Sequence, residues 1–176
     1  MREKITSTQP IYDGRIVKLD VHQVELPDGA TSEREVIRHP GAVAIVPLDS
    51  DHNTYLVRQY RIAADKITVE VPAGTLEPNE LPLTCAEREL QEEIGYRAGS
   101  MQAMGGFFVA PGYTTEYIHL FLGTELVHDP LPGDDDEFIE VVKVSLAEAR
   151  TWIDSGKIDD SKTIASLLRV TRELRT

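Results

Sequence analysis

Apolar and polar residues alternate along most of the chain, and this pattern predicts β-strands separated by turns. The alternation is clear in the segments VKLDVHQVEL and EREVIRHP, which flank the turn signal Pro27-Asp28-Gly29. Short apolar runs such as GAVAIVP, residues 41–47, are typical of strands that are buried on both faces. The strands predicted in this way cover residues 15–26, 32–46, 54–59, 69–74, 103–108, 115–123 and 138–144, together with a buried strand over 41–47 that overlaps the second of these ranges.

A helical period interrupts the strands after residue 80. Leu83, Ala86, Leu90 and Ile94 recur at intervals of three and four, which places them on one side of a helix. Gly95 supplies the stop signal for that helix. Two more helices are predicted near the end of the chain, one over residues 145–155 with a capping-box signature and one from residue 160 or 161 to 172.

Strands on both sides of one central helix, followed by two terminal helices, indicate a mixed α/β/α sandwich rather than a doubly wound parallel sheet. The chain has 176 residues, of which 41% are hydrophobic, so it can bury one substantial core. The predicted ribbon within residues 1–40 has too little core to be stable alone. We therefore expect it to pack on residues 41–176, the main domain, or on a second subunit.

Composition narrows the range of partners. The net charge of −12 argues against nucleic acid as the main partner, because phosphate backbones require stripes of Lys and Arg. Neither a signal-peptide pattern nor an apolar run of membrane-spanning length is visible. Cys85 is the single cysteine and is expected to be a packed thiol. These features predict a soluble cytoplasmic protein with no membrane partner.

The predicted central helix carries three carboxylates on one side. Glu89, Glu92 and Glu93 are spaced by three and four residues, and Arg88 is the one positive charge nearby. Each like-charged helical pair costs roughly 0.2–0.5 kcal/mol, which a divalent cation would offset. Carboxylate oxygens suit Mg²⁺ or Mn²⁺. A solvated acidic face is the alternative, but the preceding strand, which ends at Gly74, favours a metal site.

The stretch around this helix resembles the Nudix box, and every fixed position of the box is filled. Its elements are Gly74, five residues, Glu80, seven residues, Arg88-Glu89-Leu90, Gln91, Glu92-Glu93, Ile94 and Gly95, with Tyr96 at a final position that is usually aliphatic. The resemblance extends over about residues 16–144 and is closest to the ADP-ribose pyrophosphatase branch, because Pro111 lies fifteen residues beyond Tyr96.

This resemblance implies the Nudix fold, with residues 41–176 as the catalytic domain, and an activity that splits ADP-ribose into AMP and ribose 5-phosphate with Mg²⁺ or Mn²⁺. Another nucleotide sugar such as GDP-mannose is an alternative substrate, and a ligand sensor without turnover is an alternative function. The intact set of glutamates speaks against a sensor. The implied metal ligands are the Ala73 carbonyl, Glu89, Glu92, Glu93 and Glu137, and the implied catalytic residues are Glu137, Glu92 and Arg88.

The base that activates water is expected on the acidic loop that precedes the strand predicted at residue 138. Resembling enzymes place a catalytic glutamate there, and the register of EFIEV selects Glu137. A shift of one or two residues would select Asp136 or Asp135, and Glu137 could instead bind a metal. Glu80 is either a ligand or a hydrogen-bond partner at the helix entry, and its position before the helix favours the second.

The resemblance also implies a homodimer in which the N-terminal ribbon pairs two chains and the partner contributes to the binding of ADP-ribose. Residues near the adenosine are then Ile16, Arg34 and Glu35. Residues near the ribose groups are Pro111, Gly112 and Glu116. The remaining implied substrate-binding residues are Arg58, Arg61, Glu70 and Thr75.

Overall fold

The structure is a computed structural model that describes residues 1–133 and 137–174. In chain order its strands and helices are β1 (Lys4–Asp13), β2 (Lys18–Glu25), β3 (Thr31–Arg38), β4 (Ala42–Pro47), β5 (Asn53–Arg61), β6 (Lys66–Glu70), β7 (Ala73–Thr75), α1 (Pro82–Ile94), β8 (Tyr96–Phe108), β9 (Tyr117–His128), β10 (Glu140–Ser145), α2 (Leu146–Asp154) and α3 (Ser161–Glu173). None of the helices within these described ranges is long and apolar enough to cross a membrane.

The chain divides into two compact units. The first consists of Met1–Gly41 and Phe108–Tyr117. Strands β1, β2 and β3 form an antiparallel sheet in this unit. The segment from Phe108 is tied to the edge of that sheet, because the Ile37 N–H donates to the Tyr113 carbonyl at 2.8 Å and the Thr115 N–H donates to the Ile37 carbonyl at 3.0 Å.

The second unit consists of Ala42–Phe107 and Ile118–Thr176 and contains two sheets. One has the order β7-β4-β9-β8, with β4 antiparallel to β7 and parallel to β9. The other has the order β10-β5-β6 and is antiparallel. Every residue of β4 is buried, as its uninterrupted apolar sequence requires.

Two hydrophobic clusters cover the two faces of β4 in this second unit. Val43 and Ile45 pack with the α1 residues Ala86 and Leu90. Residues of alternate orientation, such as Ala44, pack in the other cluster with side chains of α2 and α3. Each fully buried Leu or Ile contributes about 1.5–3 kcal/mol. Helices thus lie on both sides of the sheets, and the predicted mixed α/β/α sandwich is confirmed.

The ends of α1 follow from local chemistry. Pro82 occupies the first turn, where the missing N–H costs no hydrogen bond. Gly95 closes the helix in the left-handed conformation, with φ of 75°, and its N–H bonds to the Gln91 carbonyl. The helix end predicted from Gly95 is confirmed. Leu83, predicted to lie on the apolar stripe, is 44% exposed, so that assignment was wrong.

The N-terminal sheet contains a strand that the sequence pattern did not predict. All residues of β1 are exposed, so its sequence, KITSTQPIYD, lacks the alternation that marks a half-buried strand. The predicted two-stranded ribbon is therefore a three-stranded sheet.

Two predicted strands are each divided in the structure. Residues 32–46 form β3 and β4, which are separated at Pro40 and Gly41, where φ of 100° at Gly41 breaks the extended backbone. Residues 69–74 are divided between β6 and β7, which belong to different sheets. Pro72 lies at that break, and a proline cannot donate to a ladder of hydrogen bonds.

Candidate active site

The carboxylates of α1 lie beside β7, the short strand that follows β6. The side chain of Glu89 rests directly on Gly74, and a Cβ atom at position 74 would overlap its carboxyl group. The Ala73 N–H donates to Glu93 Oε2 at 2.9 Å. Gly74, the first residue of the Nudix-like motif, therefore leaves the space that the Glu89 carboxylate of α1 occupies.

Arg88 binds three carboxylates at this site. Its Nη1 donates to Glu89 Oε1 at 2.7 Å and to Glu92 Oε2 at 2.8 Å. Its Nε and Nη2 donate to the two oxygens of Glu80 at 3.0 and 3.1 Å, and Glu80 also accepts from the Glu77 N–H. Glu80 thus serves as a hydrogen-bond partner at the helix entry, and the bonds from Arg88 lower its pKa.

Glu93 and Glu89 are held in water-poor surroundings. Glu93 is only 9% exposed, and no Lys or Arg in the described part of the chain forms a salt bridge with it. Burial raises the pKa of Glu93 to about 8, and the neighbouring carboxylates of Glu89 and Glu137 contribute to the rise. Burial likewise raises the pKa of Glu89 to about 7, although Arg88 opposes the shift. Negative charge at these two positions calls for a compensating cation.

The donor chemistry of this cluster fits Mg²⁺ or Mn²⁺, since all its side-chain donors are carboxylate oxygens. In the arrangement seen here Arg88 holds Glu89 and Glu92, and within residues 1–133 and 137–174 no three His, Cys, Asp or Glu side chains are arranged to hold an ion. The observation that supports the fit is that Glu93 is buried and forms no salt bridge with any described residue.

Glu137 is brought to the same cluster. Its carboxylate interacts electrostatically with those of Glu89 and Glu93 and with the Arg61 guanidinium. Glu137 itself is exposed to solvent. The alternative candidates for the base, Asp135 and Asp136, lie outside the described residues.

Arg61 is held by a network that the sequence did not reveal. Its Nε and Nη2 donate to the two oxygens of Glu70 at 2.9 and 2.8 Å. Glu70 is buried and also accepts from Thr68 and from Lys162 of α3. Because Lys162 is 92 residues from Glu70 in the chain, no local pattern could have revealed the pair. Glu70 was predicted to bind substrate, and the structure places it where it orients Arg61.

Arg58 lies on the opposite face of β5 from Arg61, because the two residues are three positions apart along the strand. Its Nη1 donates to Glu140 at 2.7 Å. A groove opens here, lined by Arg58, Tyr60, Ile67, Phe138, Ile139 and Glu140, and it contains none of the predicted metal ligands.

Thr75 is exposed at the end of β7, and its carbonyl lies 3.7 Å from the Cys85 thiol. Cys85 is buried, as predicted.

The other predicted substrate-binding residues belong to the first unit. Arg34 bonds to Glu3 and Ser32, with its Nη2 2.6 Å from the Glu3 carboxylate. Glu35 and Ile16 are exposed. Arg34 and Glu35 are neighbours in β3, so their side chains point to opposite faces of the sheet.

The turn that carries Pro111, Gly112 and Glu116 is also built into the first unit. Pro111 and Gly112 are exposed, and no atom would lie within 4 Å of a Cβ at Gly112. The Glu116 N–H donates to Thr114 Oγ1, and the Glu116 carbonyl accepts from the Val109 N–H. The turn is thus positioned beside β3, the strand of Arg34 and Glu35, through the bonds between Ile37 and the segment 113–115.

Comparison with known proteins identifies the family. A model of the NUDIX domain matches residues 38–167, which is most of the chain. The chain belongs to the Nudix family. Residues 3–37 match a second model, described as the nucleoside diphosphate sugar hydrolase N-terminal domain. The chain is therefore a Nudix hydrolase whose N-terminal residues match a domain of the nucleotide-sugar branch.

Several curated relatives match three quarters or more of this Nudix chain. A methanol dehydrogenase activator of Bacillus methanolicus is 42% identical over 94% of this chain and 90% of its own. An ADP-ribose pyrophosphatase of Bacillus subtilis is 38% identical over 93% of this chain and 89% of its own. A GDP-mannose pyrophosphatase of Salmonella typhimurium is 33% identical over 76% of this chain and 78% of its own.

A solved structure described as an ADP compounds hydrolase has the same fold as this Nudix chain. The TM-score is 0.89, and the match covers 99% of this chain and 95% of the other. The two sequences are 22% identical, so this likeness concerns the fold.

Proposed function

We propose that this Nudix hydrolase is a metal-dependent nucleotide-sugar pyrophosphohydrolase that acts on ADP-ribose and releases AMP and ribose 5-phosphate. The observation that carries the proposal is the set of box carboxylates on α1: Glu89 packs on Gly74, and Glu93 is buried with no salt bridge to any residue that the structure describes. The names of the Bacillus subtilis relative and of a second ADP-ribose pyrophosphatase, from Mycobacterium tuberculosis, support the choice of substrate.

Glu89 and Glu93 are proposed as direct ligands of Mg²⁺ or Mn²⁺, with Glu92 shared and the Ala73 carbonyl as a further ligand. The ion would supply positive charge to the pyrophosphate and acidify the attacking water. Glu93 is held in place by the Ala73 N–H. Arg88 orients Glu89 and Glu92 through its hydrogen bonds.

Glu137 is proposed as the general base. It accepts a proton from water as the water oxygen attacks one phosphorus, and the bond from that phosphorus to the bridging oxygen breaks. The bridging oxygen leaves with the other phosphate, so one water molecule yields AMP and ribose 5-phosphate. Arg61 is proposed to bind phosphate oxygens, and its two-pronged ion pair with Glu70, which fixes the guanidinium, supports this role.

The substrate-binding roles in the first unit rest on the family resemblance. Pro111, Gly112 and Glu116 are proposed to contact the ribose groups, since a carboxylate and exposed backbone suit hydroxyl-rich ligands. Ile16, Arg34 and Glu35 are proposed to act at the adenosine end in a homodimer. Arg58 and Thr75 are proposed as further contacts of the substrate.

The protein is proposed to be cytoplasmic. Its single cysteine, Cys85, is a buried free thiol, which suits a reducing compartment.

The test is to incubate the protein with Mg²⁺ and either ADP-ribose or GDP-mannose and to identify the products by chromatography. We expect AMP and ribose 5-phosphate from ADP-ribose, with kcat/KM at least about tenfold above that for GDP-mannose, a difference of about 1.4 kcal/mol in transition-state binding. A preference for GDP-mannose would overturn the substrate assignment. Binding of either compound without turnover would favour the sensor.

Activation of a dehydrogenase is a second candidate function, because the Bacillus methanolicus relative that bears this name is 42% identical to the chain. Its test is to add the protein to methanol dehydrogenase and measure the oxidation rate. An increase that also occurs with Glu93→Gln would show an effect independent of hydrolysis. No increase with the parent protein would remove this candidate.

A further inference from the structure

The chain that leaves β9 runs along the last turn of α1 before it reaches the acidic loop. The Asp129 N–H donates to the Gly95 carbonyl at 2.9 Å, and the Leu131 N–H donates to the Gln91 carbonyl at 3.3 Å. The Gln91 carbonyl also accepts from the Gly95 N–H that caps the helix, and its second lone pair is free to accept from Leu131. We call residues 129–133 the anchor segment.

Gln91 holds the anchor segment with its side chain as well as its backbone. Its Nε2 donates to the Asp129 carbonyl at 2.9 Å, a contact between residues 38 positions apart. Arg97 Nε adds an exposed contact of 3.3 Å to the Asp129 carboxylate. The Gln91 side-chain amide thus joins α1 to a distant part of the chain.

The anchor segment stays close to the box at its other end. A Cβ at Gly133 would stand 3.5 Å from the Glu92 carbonyl oxygen, so the backbone at Gly133 lies near the helix turn that carries the box glutamates. Glu137 follows four residues later, and four residues span at most about 14 Å. The position of Gly133 thus limits how far Glu137 can move from Glu89 and Glu93, with which it interacts.

We propose that Gln91 is a positioning residue for catalysis, because it fixes the anchor segment on α1 and so keeps Glu137 over the box carboxylates. This inference rests on the proposed function of Glu137 as the base. The box pattern leaves the position of Gln91 unspecified, and no spacing in the sequence indicates the contact with Asp129.

The experiment compares variants at Gln91 in two backgrounds. Gln91→Met keeps the length of the side chain and removes the donor, whereas Gln91→Lys keeps a donor. Glu87→Ala is the matched control, since Glu87 is exposed on the same helix one turn earlier. Each change at Gln91 is also made together with Glu137→Gln, and kcat and KM for ADP-ribose are measured with Mg²⁺. Thermal midpoints verify that every variant is folded.

In the parent background, Gln91→Met should lower kcat about tenfold while KM changes less than about twofold, because misplacing a catalytic group slows chemistry more than binding. Gln91→Lys should restore kcat to within about threefold of the parent, and Glu87→Ala should have no effect. Glu137→Gln should lower kcat at least about a hundredfold, and Gln91→Met should cause no further loss in that background.

An equal loss from Gln91→Met in both backgrounds would overturn the positioning role, since the residue would then not act through Glu137. That result would leave the proposed hydrolase intact. Near-normal turnover in Glu137→Gln would instead show that Glu137 is not the base, and would overturn both the proposed role of Glu137 and the inference for Gln91.

Discussion

The three glutamates of the Nudix box differ in how deeply they are buried, although nothing in the sequence distinguishes them. Glu93 is buried, whereas Glu89 and Glu92 are each partly exposed. Helical spacing predicted that these residues share one side of α1, and the structure places them there. Their depth depends on β7, which comes earlier in the chain and pairs with β4. The sequence does not show which carboxylate that strand covers.

The contact between Gly74 and Glu89 gives a prediction at the residue scale. Gly74 does not have a positive φ, so an alanine is compatible with the backbone, but its methyl group would displace the Glu89 carboxylate. Gly74→Ala should lower kcat for ADP-ribose at least about tenfold, the cost of moving a catalytic group by about 1 Å or less. In a Glu89→Gln background the same change should have little effect, and an equal loss there would show that Gly74 acts by another route.

Elements with strong local signals could be predicted, and those without them could not. The helix α1 ends at Gly95, α2 begins after the predicted N-cap Ser145, and α3 begins after Asp160, whose carboxylate accepts from the Thr163 N–H. Each of these signals involves residues within one turn of the helix end. By contrast, β1 has no buried face to impose a pattern on its sequence.

The network between β6 and α3 gives a prediction at the element scale. Although burial raises the pKa of Glu70, hydrogen bonds from Arg61 and the charge of Lys162 outweigh it and lower the pKa to about 2. Because the pKa of Glu70 is lower in the folded state, its ionised carboxylate stabilises that state at pH values above 4.5, the pKa in the unfolded chain. This stabilisation is lost as the pH falls from 4.5 towards 2. The shift corresponds to about 3 kcal/mol.

Urea unfolding of the parent and of Glu70→Gln at several pH values between about 7 and 2.5 tests this prediction. The difference in unfolding free energy between the two proteins should be largest near neutral pH and should shrink below about pH 4.5. Glu140→Gln removes an exposed ion pair with Arg58 and should change stability by less than about 1 kcal/mol. A constant difference between parent and Glu70→Gln would contradict the assignment.

At the scale of the whole molecule, the N-terminal sheet exposes apolar side chains that a second chain could cover. Ile5, Ile11 and Tyr12 of β1 are 56%, 51% and 60% exposed. Several large apolar side chains exposed on one strand are typical of a surface that pairs with another chain. We therefore predict that the protein is a homodimer at micromolar concentration, and that the pairing completes the adenosine end of the site.

Light scattering combined with kinetics measures this dimer. The parent should have twice the mass of one chain, and Ile11→Asp should weaken the dimer and raise KM for ADP-ribose. Leu168→Asp is the matched control, because Leu168 is 40% exposed on α3 and should leave both mass and KM unchanged. A parent protein that is monomeric and fully active would contradict the predicted homodimer.

The residues of the Nudix box could be identified from the sequence because they form one contiguous pattern. The contacts that shape it were not, because they join distant segments: Lys162 with Glu70, and Gln91 with Asp129. The roles proposed for Ile16, Arg34 and Glu116 remain predictions from the resemblance. The register that selects Glu137 over Asp135 or Asp136 is likewise a prediction, since these two aspartates lie outside the described residues.

The most direct test of the central claim is the Mg²⁺ dependence of AMP release from ADP-ribose by Glu93→Gln and by its matched control Glu87→Gln. Both changes remove one carboxylate charge from α1, but Glu93 is buried at the site and Glu87 is exposed. We predict that Glu93→Gln loses at least about a hundredfold in Mg²⁺-dependent kcat, about 2.7 kcal/mol, while Glu87→Gln behaves as the parent. Turnover of Glu93→Gln within about threefold of the parent would contradict a metal-dependent site built on the box carboxylates.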